Sequence, residues 1–143
     1  MTTIDNTRNT IGSRDIIERI SELSEERSDL VNQIDTVDDT DAHSLPAYEQ
    51  ELVEWDTDYL DELQSLVALA DEAGDYAADW EHGEQIIRDS YFRMFAQELA
   101  AETGAIDANA KWPNYCVDWD RAARELQMDY TPVDFGGITY WIR

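Results

Sequence analysis

Covalent catalysis needs a nucleophile beside a base, and this sequence offers one thiol, Cys116, with His82 and Asp118 as its prospective partners. Neither their spacing nor any flanking motif fits that chemistry. Cys116 lies in an apolar, aromatic stretch with Trp112, Pro113 and Tyr115, which reads as buried packing. Asp79, Glu81, His82 and Glu84 could gather a cation, but they match neither a paired-histidine helix motif nor a calcium loop. Gly136-Gly137 closes a hairpin rather than cradling phosphate, and His43 and His82 have polar neighbours that leave them exposed and incidental. These residues predict no catalytic group, no metal site and no cofactor, hence a chain that is not an enzyme.

The chemistry lies instead in carboxylates. The 143 residues carry 33 acids against ten bases, a formal net charge of −23. Such a charge disfavours direct contact with nucleic acid or an anionic membrane and favours a basic partner, of which nucleic-acid-binding proteins are the largest class. The sixty residues from Ser28 to Ile87 contain eighteen acids and neither Lys nor Arg, whereas Glu84 to Arg143 holds ten acids and six bases. Glu18, Glu22, Glu25 and Asp29 share one helical face; Glu51, Glu54, Asp58 and Asp61, with Glu62 beside them, share another. Steps of three and four residues advance about 4.5–6 Å along a helix, the scale of successive phosphates on a DNA strand. Like charges so placed weaken a helix, and a sequence shaped for stability alone would alternate their signs.

Two long helices are needed to position these rows. After a candidate N-cap at Ser13, apolar residues recur at Ile16, Ile20, Leu23, Leu30, Ile34 and Val37, interrupted by Arg27. Polar residues from Asp38 to Ser44 break the pattern. Pro46 suits the first turn of a second helix, whose stripe is Tyr48, Leu52, Trp55, Tyr59, Leu63, Leu66 and Ala70, with Gly74 as the expected stop. Two such stripes, each roughly 35–40 Å long, predict an antiparallel helical hairpin. Beyond it, Asp89 can cap a helix carrying Phe92, Phe95, Ala96 and Leu99 and ending at Gly104, and Asp118 can cap one carrying Trp119, Ala122, Ala123 and Leu126. A two-residue turn at Gly136-Gly137 pairs Phe135 with Ile138 and puts Val133, Phe135, Ile138, Tyr140 and Ile142 on one face. Ile86-Ile87 or Tyr115 to Val117 could add a third strand.

The expected fold class is α+β: a flexible N-terminus (1–13), an acidic antiparallel helical hairpin (14–75) and a small α+β domain ending in a β-hairpin (76–143). Trp141 falls opposite the apolar hairpin face, near Trp112 and Trp119, so either a helix covers it or a partner does. Trp55 and Tyr59 are bulkier than one facing helix of Ile and Leu requires. Trp55, Tyr59 and Trp141 are therefore candidate self-association residues, and a homodimer is expected. Met1 to Ser13 has no apolar signal-like core, no run reaches membrane-spanning length, and one cysteine allows no internal disulfide, which predicts a cytoplasmic protein without membrane contact.

Two stretches carry a resemblance: Asp89-Ser-Tyr-Phe-Arg-Met-Phe-Ala-Gln-Glu-Leu99 and Val117-Asp-Trp-Asp-Arg-Ala-Ala-Arg-Glu-Leu126. On them the C-terminal half, roughly residues 76 to 143, resembles antirestriction proteins of the ArdA type, whose aspartate–aromatic–acid helix precedes a short terminal strand. That family is longer and usually built of three small domains; here a helical hairpin would stand in place of its N-terminal part. The resemblance implies a phage or mobile-element protein that mimics bent duplex DNA, occupies the DNA groove of a restriction–modification enzyme and is commonly dimeric. A CRISPR effector is an equally admissible target. The expected function is thus a DNA-mimic inhibitor of a basic nuclease complex, acting in the host cell. The alternative is a non-mimic coiled-coil adaptor whose acidity reflects solubility or salt adaptation.

Salt adaptation also fits one lysine and nineteen aspartates, but it predicts acidity throughout, and Glu84 to Arg143 carries a net charge of only −4. The two origins separate in dilute buffer. A mimic melts cooperatively there, gaining some stability as salt screens repulsion, whereas circular dichroism showing structure only near molar salt would establish halophily.

Overall fold

Helical and strand periodicities both reappear in the computed structural model, which describes residues 3–38, 40–107 and 109–143 as an α+β arrangement with one four-stranded antiparallel sheet. Helix α1 (Ser13–Asp35) turns Ile16 and Leu23 into the core, with Ile17, Ile20 and Leu30 partly buried beside them. The chain returns as α2 (Leu45–Trp55), with Pro46 in the first turn, where its missing N–H leaves no hydrogen bond unmade. A π-helical turn, Asp56–Leu60, passes without a break into α3 (Asp61–Tyr76). Arg27 of α1 pairs with Asp56 and Arg19 with Glu62, so contacts that descend α1 climb the second arm: the arms run antiparallel.

Three expected helix ends are relocated; Asp89, read as the cap of the helix carrying Phe92, lies in a 3₁₀ turn, caps nothing and accepts the Trp141 indole N–H. Ser13 does not cap its own helix; its hydroxyl accepts the Glu84 amide at 2.7 Å and its amide donates to the Glu84 carbonyl at 2.7 Å. This exchange ties the start of α1 to the chain entering strand β2 (Gln85–Arg88). Gly74 remains helical because Ala73 and Ala77 are buried around it and Trp80 closes over its bare Cα. Their burial outweighs the roughly 1 kcal/mol a helical glycine costs.

The sheet has the order β1-β2-β4-β3, with β1 at Thr10–Gly12, β3 at Thr131–Phe135 and β4 at Ile138–Ile142. Phe135 faces Ile138 across Gly136 and Gly137, whose φ values of 57° and 88° are those a primed turn needs and glycine adopts without strain. Val133, Phe135, Tyr140 and Ile142 join Ile11 and Ile86 beneath α1 and α3. Ile87 and Trp141 point the other way, where α4 (Phe92–Glu102) and α5 (Trp119–Gln127) supply Phe92, Ala96 and Ala123. Helices therefore cover both faces of the sheet.

Ile86-Ile87 supplies the additional strand, whereas Asn114–Cys116 forms a 3₁₀ turn. Residues 10–12, read from the sequence as part of a flexible N-terminus, form edge strand β1 (Thr10–Gly12) against β2, and Ile4 is buried as well. Three residues are too few to show a period; their order comes from pairing with a distant strand. Asp118 caps α5 through the Arg121 amide, and Gly104, at φ 77°, follows the end of α4.

One charge lies inside. Arg19 is 3% exposed, donates to both oxygens of Glu62 at 2.7 and 3.1 Å and to Glu22 at 2.7 Å, and sits over the Tyr59 ring at 5.9 Å. The Glu62 carboxylate, aided by Glu22 and Glu26, holds this guanidinium protonated more firmly than usual. Losing one member of a buried ion pair strands the other. Arg19→Met should lower stability by about 3–5 kcal/mol in urea unfolding, and Arg19→Met with Glu62→Met should recover most of that loss. Equal costs for the single and double variants would contradict this account of the pair.

Candidate acidic partner-binding face

The carboxylates expected to form two rows separate into groups. Asp29 of α1 and Glu51, Glu54 and Asp58 of the second arm converge on one cleft, with Glu26, Leu30, Trp55 and Tyr59 completing its lining. Glu18 lies elsewhere, against Arg14, Ala70, Asp71 and Trp80. Asp61 faces the N-terminal segment near Ile4 and Phe135. Glu25 is exposed on α1.

Two members of the expected rows are engaged internally. The Glu62 side chain is 9% exposed, holds Arg19 and accepts the Ile4 amide at 3.2 Å, so its carboxylate is neutralised within the fold rather than displayed. Glu22 pairs with the same guanidinium. A sequence signal for this existed. Arg19 stands three residues after Ile16 and four before Leu23, and Glu62 stands three after Tyr59 and four before Leu66, so both occupy inward positions of their stripes. Charges of opposite sign on facing apolar stripes mark a buried pair.

Arg27 resolves in the same way, pairing with Asp56 at 2.9 Å across the arms. The guanidinium of Arg14 reaches the Glu81 carbonyl at the sheet end of α1. Among the described residues, Asp29, Glu51, Asp58 and Asp61 are exposed and take part in no ion pair; Glu54 accepts only its helical neighbour Gln50.

The aromatic candidates for self-association have internal partners. Trp55 is 9% exposed, donates its indole N–H to Glu26 at 3.1 Å and lies 5.5 Å from the Tyr59 ring. Trp141 packs against Phe92 beneath α4 and donates to Asp89 at 2.9 Å. A helix thus covers the Trp141 face. Among the described residues the exposed aromatics are Trp112 and Tyr115, on the segment between α4 and α5, and Tyr76 at the end of α3.

Cys116, expected to be buried, is exposed, because its segment runs along the surface as a 3₁₀ turn instead of entering the sheet. Asp118 is committed to its cap, and His82 and His43 are exposed. Among the described residues no three His, Cys, Asp or Glu side chains converge to hold a metal ion, and no helix is long and apolar enough to cross a membrane.

No family model, curated protein or solved structure matches the chain. Since Trp55 fills space between the arms, Trp55→Ala should cost about 3–5 kcal/mol in urea unfolding, irrespective of protein concentration. A loss seen only at concentrations where an oligomer dissociates would instead make Trp55 an intersubunit residue.

Proposed function

We propose that this chain is a DNA-mimic inhibitor whose acidic antiparallel helical hairpin occupies the DNA-binding groove of a nuclease complex. One observation carries the reading: each base of the two arms is engaged by a partner within the fold, while most of the surrounding carboxylates are exposed without one. Arg19 is buried between the arms, Arg27 is pinned to Asp56, and Arg14 sits at the sheet end. No Lys or Arg occurs between Arg27 and Arg88. Structural cohesion and outward charge are thereby separated, as a phosphate-like surface requires. An ordinary solvated helix mixes signs on its exposed face instead.

Mimicry also accounts for the asymmetry of charge along the chain and accords with the resemblance of residues 76 to 143 to ArdA-type antirestriction proteins. The mechanism is competitive occlusion. Exposed carboxylates pair with groove Lys and Arg residues, and the long-range field of a −23 protein speeds the encounter. A restriction–modification enzyme or a CRISPR effector in the host cytoplasm is the target class, and a homodimer would lengthen the acidic surface along a groove.

Glu51, Glu54, Asp58 and Asp61 are all exposed, so reversing them to Lys should leave the circular dichroism spectrum and cooperative unfolding intact. The reversed protein should no longer block DNA cleavage by a nuclease complex that the natural chain inhibits. Inhibition by the natural chain should weaken steeply as salt rises. Undiminished inhibition by the reversed protein would favour the adaptor reading.

A further inference from the structure

The cleft between α1 and α2 has a defined chemical character. Its volume is ≈ 410 Å³, and Leu30, Trp55 and Tyr59 form an apolar, aromatic floor. Asp29, Glu51, Glu54 and Asp58 stand around it, all exposed at their helical surfaces. Glu26, likewise exposed, differs from these four in that its carboxylate accepts the Trp55 indole N–H and fixes the ring. No Lys or Arg is among the described residues that line it.

The fold already uses such a grouping once. On the inner side of the arms the Arg19 guanidinium lies 5.9 Å from the Tyr59 ring centre while bonding Glu22 and Glu62. The outer cleft repeats the elements of that arrangement, an aromatic ring bordered by carboxylates, around space a side chain can enter. A guanidinium suits it better than an ammonium: it is planar, stacks on an aromatic ring, binds carboxylates bidentately and is weakly hydrated. Leu30 offers contact for the aliphatic stem.

We propose that this cleft is the anchor point of the acidic face and receives one arginine side chain of a basic partner protein. The inference rests on the occlusion reading for the partner's identity and adds the residue type and the place where it docks. A Trp-lined, preorganised pocket within a charged surface is where binding energy concentrates, whereas exposed carboxylates contribute mainly to encounter rate.

The test uses the full chain labelled with 5-fluorotryptophan, its Trp55 resonance assigned with Trp55→Phe, and two probes of equal charge, tetra-arginine and tetralysine. Tetra-arginine should shift the Trp55 signal, saturating at a roughly three- to fivefold lower concentration than tetralysine, the increment expected of a stacked guanidinium. Glu51→Gln/Glu54→Gln/Asp58→Asn should abolish the shift. Asp71→Asn/Asp75→Asn/Asp79→Asn removes as many charges away from the cleft and should preserve it. Indistinguishable titration by the two peptides, or equal weakening in the two triple variants, would overturn the anchor. The experiment contains neither nuclease nor DNA, so its failure would leave the occlusion reading standing, and loss of that reading would leave arginine binding measurable.

Discussion

Two helical arms rich in carboxylates have to lie against each other, and the buried Arg19–Glu62 pair makes this tolerable. Like charges on packed helices repel, and the dielectric between the arms is lower than in water, so repulsion there acts more strongly than on the open surface. Arg19 answers it with hydrogen bonds to Glu62 and Glu22 and the Tyr59 ring at its side. Arg27–Asp56 repeats the device nearer the turn, at a more exposed site. The benefit of the buried pair lies in register more than in net stability: well-packed apolar residues could replace it, but they would not fix which turn of α1 meets which turn of α3.

The outer surface follows from that arrangement. With Arg19 buried, Arg27 paired to Asp56 across the arms and Arg14 bonded to the Glu81 carbonyl at the sheet end, each base of the arms is engaged within the fold and most exposed carboxylates of the arms have no basic partner. The sheet then acts as a platform. Ile11, Ile86, Val133 and Tyr140 give α1 and α3 an apolar bed, and the Ser13–Glu84 exchange fixes where the first helix begins. On the opposite face α4 and α5 cover Ile87 and Trp141. A long acidic projection is marginal by itself, since helical propensity contributes little without tertiary packing. Burial against four strands supplies what charge repulsion removes.

Long periodic features were legible in the sequence and short paired ones were not. The stripes of α1 and of the second arm, the caps at Asp118 and Gly104 and the Gly136-Gly137 register all appear as local patterns, because each depends on residues within a turn or two. Strand β1 depends on a partner more than seventy residues away, and three residues carry no period. Gly74 has the composition of a helix stop, yet Trp80 and the buried alanines override it. For the candidate site, the acidic excess was plain in composition, but its partition was not. Glu62 reads as one more carboxylate until its stripe position is compared with that of Arg19, and Trp55 and Tyr59 read as too bulky for one facing helix until Glu26 and Arg19 are seen beside them.

The central claim is that the outward carboxylates stand in for DNA phosphates, and the competitor that removes a bound partner tests it most directly. The chain is immobilised, host lysate is passed over it, and captured proteins are eluted with either a short DNA duplex or polyglutamate at matched charge concentration. The account predicts that DNA-binding proteins dominate the captured set and that the duplex elutes them at markedly lower concentration than polyglutamate, because both ligands occupy one groove. Equal elution by the two polyanions, or a captured set without DNA-binding proteins, would contradict it.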